Sequence, residues 1–488
     1  MARLRSVATF GSTLALLAAC STPPRADANV DANDESLDAT GDAIEDVPPR
    51  DTGPDVPPLR RVLPPSTHAL SDIVGIASNP GDFPTGADPA STERRHFYYR
   101  MIHRLGIHRV RRDFLWRDIE PTRGTFVFDG PDRLMTETSA EGIDVLASLL
   151  YGTLWATTAA NADTFYPPDD PATFANYAAR TAEHFRGRVH QYEIWNEPNA
   201  GFRFWRPNLR GDATAYGRLL QLAAQAIATV DPDARVSFGG TVFLPQLITG
   251  GVQFATQAFE GNPGLASSLT AYAFHAYTLY APRVGPESFA PGEVPMLEKI
   301  AQTAGMTEHA GVRTDAPFWL TEIGWPSTID VNETQQANWT VRAIVLAALG
   351  GVDAVYLYTM GDDAHPERFP PEDAFGLVHY DADYGDGMDP PVKPSFVAVQ
   401  TLIETVGAFH VEAREEIAGH ADDAFVVRLT DGTRRAWVVW TLEGAAGPVM
   451  WSAPADGVMR ARVAMDGTRG LVAAGESVVL GEGPVVVF

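Results

Sequence analysis

Eight short apolar runs, each separated from the next by a stretch of helical periodicity, constrain this chain more than any other feature. The runs fall at 73–77, 108–115, 145–151, 189–195, 235–240, 269–277, 318–322 and 354–359. Helical stretches lie between them, most clearly at 92–105, 172–185, 213–230, 293–304 and 333–349. Parallel strands need long crossovers, and helices supply them. Eight such units over about 345 residues predict an α/β fold, a (β/α)8 TIM barrel with enlarged loops occupying 66–410. The rival is a doubly wound sheet. It finds no support after the first run, where Gly75-Ile76-Ala77-Ser78-Asn79-Pro80 lacks a glycine-rich phosphate loop.

Beyond about residue 407 the texture changes. Short strand-like runs at 425–427, 436–441, 458–463, 478–480 and 485–488 alternate with turn residues such as Asp431-Gly432 and Asp456-Gly457. They predict a small C-terminal antiparallel β-domain, sandwich-like, over 411–488. Its Trp437, Trp440 and Trp451 read as core residues, with sugar binding as the alternative.

The amino terminus reads as an address. Arg3 and Arg5 precede a short apolar segment at 7–19, the pattern of a secretory signal over 1–20. Leu17-Ala18-Ala19-Cys20 resembles the bacterial lipoprotein signal, which implies lipidation of Cys20 and export to a membrane. Ser21 at the next position points to the outer membrane. Residues 21–65 are acidic and proline-rich with almost no aromatics, so they read as a disordered tether. Cys20 is the single cysteine, which excludes an intrachain disulfide or a Cys-based metal site. With 37 basic against 62 acidic side chains the formal charge is −25, and phosphate is repelled; a nucleic-acid partner is not expected.

Two of the predicted strands end in glutamate. Tyr192-Glu193-Ile194-Trp195-Asn196-Glu197-Pro198-Asn199 closes the fourth, where proline stops the ladder. Phe318-Trp319-Leu320-Thr321-Glu322-Ile323-Gly324-Trp325-Pro326-Ser327 closes the seventh. Strand C-termini of a barrel face its active site. Glu197 and Glu322 therefore point into one cleft. Two such carboxyls suit glycoside hydrolysis, one neutral to protonate the leaving oxygen and one ionised to attack the anomeric carbon.

These segments resemble clan A of the glycoside hydrolases, retaining (β/α)8 enzymes with catalytic glutamates ending strands four and seven. The likeness spans about residues 66–410 and is nearest to the β-xylosidase/iduronidase-like family and related bacterial exopolysaccharide endo-glycosidases. Glu-Ile-Gly-Trp-Pro-Ser is also similar to plant-type endo-β-1,3-glucanases, which the Asn-Glu-Pro-Asn segment fits less well. The resemblance implies Glu197 as acid/base, Glu322 as nucleophile and Asn196 as a ligand of the sugar 2-hydroxyl. It implies an arginine of strand two beside the nucleophile: Arg111 in an Arg-x-Asp-x-x-Trp pattern, with Arg112 as the other register. His275 and Tyr277, two apart at the end of the sixth strand, share a side. The resemblance places Tyr277 on the nucleophile and His275 near the acid/base. Glu197 is expected to be held protonated by ionised Glu322 and partial burial. Sugars need flat apolar platforms, and Trp116 and Trp325 are the expected ones. Trp155, Trp205, Tyr358, Phe202 and Phe204 are further candidates. No cofactor or metal is expected: the acidic loop at 381–389 lacks EF-hand spacing. The implied partner is a carbohydrate substrate. The rival class is a non-catalytic carbohydrate-binding lipoprotein on a barrel scaffold.

The anchor reading is directly testable. Cys20→Ala is expected to abolish lipid modification and release the protein from the membrane fraction; unchanged processing and retention would contradict it.

Overall fold

The computed structural model describes residues 59–78, 83–243, 250–278, 284–288, 293–328, 330–362, 374–379, 391–445 and 448–488. Cys20, the segment 1–20, most of the expected tether and the loop 381–389 lie outside them. Eight parallel strands form one sheet: β1 (Val74–Ala77), β2 (Arg109–Leu115), β3 (Asp144–Leu150), β4 (Gln191–Ile194), β5 (Arg235–Phe238), β6 (Tyr272–His275), β7 (Phe318–Ile323) and β8 (Ala354–Tyr358). Their order is β5-β4-β3-β2-β1-β8-β7-β6. A parallel bridge between Thr241 and Phe274 and a 3.0 Å bond from the His275 N–H to the Thr241 carbonyl bring β6 back to β5. The sheet thus curls into the expected barrel.

These strands are covered on both faces, so they read as continuous apolar runs rather than alternating ones. Four of the helices between them start at side-chain caps. Asp88, Asp170 and Asp212 each accept a backbone N–H of the first turn, and Asn332 with Gln335 forms a capping box. The helices Ala213–Val230 and Glu333–Leu349 fall on the expected stretches. The expected helix at 293–304 instead runs Met296–Ala310. Helix Asp129–Ala140 was not legible because its DGPDRLMTETSA sequence buries only Leu134, Met135 and Thr138.

The C-terminal region holds β9 (His410–Glu415), β10 (Ala424–Thr430), β11 (Arg435–Thr441), β12 (Met450–Ser452), β13 (Arg460–Ala464), β14 (Arg469–Val472), β15 (Ser477–Val479) and β16 (Val485–Val487). Six make an antiparallel sheet in the order β14-β13-β16-β11-β10-β9, and β12 pairs with β15. Alternation along β10 and β11 sends side chains into two cores. Val427, Leu429, Val438 and Trp440 join the barrel's core, while Val426, Trp437 and Val439 pack with Trp451 and Val478 from the small ribbon. All three tryptophans are buried here, which answers their alternative reading as sugar platforms. Strand β9 escaped the sequence because half of its HVEARE is charged; Glu412 and Glu415 pair with Arg428 across the ladder.

The final residues of the expected tether are fixed to the barrel. The Arg61 N–H donates to the Ala301 carbonyl at 2.9 Å, and Arg60 pairs with Glu298. Among the described residues no helix is long and apolar enough to cross a membrane.

Candidate active site

The site begins with the backbone beyond β4. An extended strand sends successive side chains to opposite faces. Here Trp195 and Glu197 take positive φ, 70° and 42°. That conformation costs of order 1–3 kcal/mol per non-glycine residue and breaks the alternation. Neighbouring Asn196 and Glu197 consequently both reach the barrel mouth. The turn is held by the Glu197 N–H on the Gly240 carbonyl at 3.0 Å and by the Trp195 indole N–H on the Phe204 carbonyl at 2.6 Å.

A second irregularity delivers the other half. The register between β6 and β7 shifts between Phe274 and His275, pairing His275 with Glu322. A further shift on the β8 side falls between Leu320 and Ile323. Such bulges re-aim side chains at barrel rims. The His275 Nδ1 lies 2.8 Å from Glu197 Oε1 and 3.7 Å from Glu322 Oε2. One oxygen of each glutamate and a ring nitrogen all fall within 4.8 Å of one another. This is the one group of three metal-ligand-type side chains so placed among the described residues, and Arg111 and Tyr277 already engage its Glu322 oxygens.

Arg111 is the hub. Its Nε donates to Glu193 at 2.5 Å, Nη1 to Glu322 at 2.6 Å and Nη2 to Asn196 Oδ1 at 2.8 Å. Against the opposing effect of burial, the carboxylates of Glu193, Glu322 and Asp113 hold the guanidinium well above its ordinary range. Arg112 faces outward instead, over the Phe83 ring and onto the Phe83 carbonyl. That settles the register left open by the sequence. The Tyr277 hydroxyl donates to Glu322 Oε2 at 3.0 Å, so both Glu322 oxygens are engaged.

Burial pushes the Glu197 carboxyl up to about 7, against the pull of Arg203 and Arg111. The carboxylate of Glu193 adds to this push, and Glu197 and Glu322 repel one another, which adds to the rise at Glu322. Burial raises Glu322 as well, opposed by His275, Arg111 and the Tyr277 hydroxyl. Burial lowers His275, so the ring is neutral near pH 7.

Glu193 was missed, although a lone acid inside an apolar strand is a signal that a partner must be buried with it. It is fully buried and accepts from Arg111, Ser148, Thr321 and the Gly240 N–H. Asp113, two residues after Arg111 and in register with Ser148 and Glu193, faces the same interior and is partly exposed. The expected platforms need correction. Trp116 is 0% and Trp325 1% exposed, so neither offers a ring face to a ligand. Trp116 stacks on Tyr177 and donates to Glu120. Trp325 donates to Thr278 and to the Val284 carbonyl. Trp205, Phe204 and Tyr358 are also buried; Trp155 and Phe202 keep partial exposure. The Asn196 Nδ2 is buried without a hydrogen-bond partner among the described residues.

No family model matches the sequence, and no curated protein does. Solved structures do match. A family 39 glycoside hydrolase from Bacteroides cellulosilyticus WH2 aligns with a TM-score of 0.67 at 20% identity, over 86% of this chain and 81% of that one. A GH39 β-xylosidase from Caulobacter crescentus aligns at 0.59 and 17%, over 88% and 98%. A GH30 endoxylanase from Clostridium papyrosolvens C71 aligns at 0.54 and 11%, over 87% and 97%. Both families belong to the clan that the strand-end motifs resemble. At these identities the likeness is one of fold.

Two predictions follow from this geometry. A Cβ on Gly240 would stand 2.1 Å from His275 Nε2, in a ring that is wholly buried. Gly240→Ala is therefore expected to displace His275 and to destabilise the fold by about 1–3 kcal/mol, measurable by denaturant unfolding. The second concerns pH. Between the ordinary Glu value of 4.5 and about 7, native Glu197 keeps a proton that the unfolded chain loses. The native state binds more protons there, so stability falls as pH rises through this window and stays lower above it. Glu197→Gln abolishes that loss, by at most about 3 kcal/mol. Its gain in Tm over wild type is expected to be larger at pH 8 than at pH 5.

Proposed function

We propose that this chain is a retaining glycoside hydrolase that cleaves O-glycosidic bonds of an oligo- or polysaccharide through a glycosyl-enzyme. The observation that carries the reading is the approach of Glu197 and Glu322, with oxygens within 4.8 Å, around a buried arginine. Retaining pairs stand about 5–5.5 Å apart, whereas inverting pairs leave about 6.5–9.5 Å for a water. The strand-end motifs and the neighbours' printed activities, β-xylosidase and endoxylanase, favour a β-linked substrate. The signal-like segment ending at Cys20 supports an exported, lipid-anchored enzyme.

Glu197 is the acid. With its carboxyl at about 7 it holds a proton near neutral pH. A neutral His275 donating from Nδ1 to Glu197 Oε1 leaves Oε2 to carry that proton. Glu322 is the nucleophile because it has the direct guanidinium contact and the tyrosyl hydrogen bond. In the first step Glu197 gives its proton to the glycosidic oxygen as the C1–O bond breaks, and a Glu322 oxygen bonds to C1. In the second step Glu197, now ionised, takes a proton from water. The water oxygen bonds to C1 and the ester bond to Glu322 breaks. The unpartnered Asn196 Nδ2 suits a hydroxyl of the reacting sugar, and Arg111 fixes the other end of that amide.

A screen of aryl β-xylosides, β-glucosides and bacterial exopolysaccharides tests the activity; no turnover on any of them would favour a binding protein on the same scaffold. On an active substrate, Glu322→Gln is expected to lose nearly all turnover. Glu197→Ala should slow substrates with poor leaving groups by about 100- to 10,000-fold, the range of general-acid catalysis, and activated aryl glycosides much less. Azide should restore turnover to Glu197→Ala on the activated substrate, giving a β-glycosyl azide from a β-glycoside. Rescue of Glu322→Ala instead, with the opposite anomer of azide, would swap the two roles.

A further inference from the structure

A buried carboxyl outside the catalytic pair links the C-terminal domain to the mouth of the barrel. Glu287 lies on the segment 284–288 beyond β6 and is 4% exposed. Its Oε1 accepts the indole N–H of Trp440, on β11, at 2.7 Å. Its Oε2 faces Arg342 of helix Glu333–Leu349 at 3.7 Å. Arg342 also donates to the carbonyls of Thr441 and Glu482, both in the C-terminal domain. The Trp440 ring is stacked on Phe425 at 5.1 Å and 3° between planes, and Phe425 in turn lies under the Arg414 guanidinium. A carboxyl buried this deeply requires such partners, since an unpaired one would be lost to desolvation.

Three residues before Glu287, the Val284 carbonyl accepts the Thr278 hydroxyl at 2.8 Å and the Trp325 indole N–H at 3.1 Å. Trp325 also donates to Thr278 at 2.7 Å. Thr278 follows Tyr277, the donor to Glu322, and Trp325 stands three residues beyond Glu322 itself. Val284 is thus a knot between the end of β6 and the end of β7, and the C-terminal domain grips the same segment at Glu287. Pro286 is fixed too, its carbonyl accepting the Met296 N–H at 2.8 Å.

Resting on the glycosidase reading, we propose that the C-terminal domain is part of the catalytic apparatus: Trp440 and Glu287 are positioning residues that hold Tyr277 against Glu322 through Val284. The two act at a distance from the substrate and touch no reacting atom. A domain that served packing alone would need no buried carboxyl aimed from the segment 284–288 into its sheet.

The test uses the full chain and an aryl glycoside that the wild type turns over. Trp440→Phe keeps a ring to stack on Phe425 and removes the indole N–H, together with part of a ring that is fully buried. It is expected to lower kcat roughly 3- to 30-fold, the range of coupling through packed networks. KM should stay within about twofold, because the loss falls on the transition state. The acid limb of kcat/KM reports ionisation of the nucleophile, which Arg111, His275, Glu197 and Tyr277 surround. Loosening the Tyr277 hydrogen bond disfavours the carboxylate, so this limb should move up by about half a unit or more. In a Tyr277→Phe background the same substitution should move it no further. Thr278→Val cuts the link at its other end, leaves the domain contact untouched and should reproduce the shift; it makes the same test if Trp440→Phe does not fold. If both variants lower Tm yet leave kcat and the acid limb where they were, the domain is only packed on the barrel and the proposal is overturned. Absence of turnover by the wild type would overturn the glycosidase reading, and this inference with it.

Discussion

A guanidinium buried among carboxylates needs every one of its partners, and the catalytic end of this barrel is organised around that need. Arg111 spends all three of its nitrogens on groups from different places in the chain: Glu193 within β4, Asn196 beyond it and Glu322 on β7. Removing one member of such a buried set costs about 3–5 kcal/mol, because the charges left behind have no water to replace it. The arrangement also sets the chemistry. Glu197, buried beside the cluster, keeps its proton to about pH 7 chiefly because burial penalises its charged form, with Glu193 adding to that push and Arg203 and Arg111 opposing it. Two glutamates of ordinary intrinsic acidity are thereby separated into one held against a guanidinium and one held protonated.

Backbone irregularities make the cluster possible. A regular strand would turn Asn196 and Glu197 to opposite faces, and a regular ladder would not bring His275 level with Glu322. Positive φ at Trp195 and Glu197 solves the first problem, and the register shift on β6 and β7 solves the second. Both deviations are stabilised by their surroundings: Trp195 is wholly buried among aromatic rings, and Gly240 leaves room for the His275 ring where a Cβ would not. Local strain at a site, carried by good packing around it, is a recurrent feature of functional centres.

Much of this was legible in the sequence. The eight βα units were read from their period, and the strand-end glutamates from the residues that stop each run. The pairing of His275 and Tyr277 on one side needed only the two-residue repeat of a strand. What could not be read has physical reasons. Glu193 stands one turn of the pleat before the motif that drew attention, and only the fold shows that Arg111 reaches it. Trp116 and Trp325 follow strands, as cleft aromatics do, yet their indole N–H groups find partners inside the protein and their rings are consumed by packing. Strand β9 and helix Asp129–Ala140 carry polar sequences whose structure is imposed by neighbours rather than by their own pattern. The register of Arg111 and Arg112 depended on which residue faced inward, a question of strand phase that side-chain type alone does not decide.

The proposed mechanism turns on one covalent bond, between Glu322 and the anomeric carbon of the substrate. The most direct measurement is to trap it. A slow substrate with a good leaving group and a fluorine in place of the sugar 2-hydroxyl disfavours both steps, the second more than the first, so the intermediate accumulates. Intact-mass analysis should then show the full-length wild-type enzyme gaining one glycosyl group, and peptide mapping should place it on Glu322. A label on any other residue would contradict the account, as would continued turnover of that substrate by an enzyme that never carries a label.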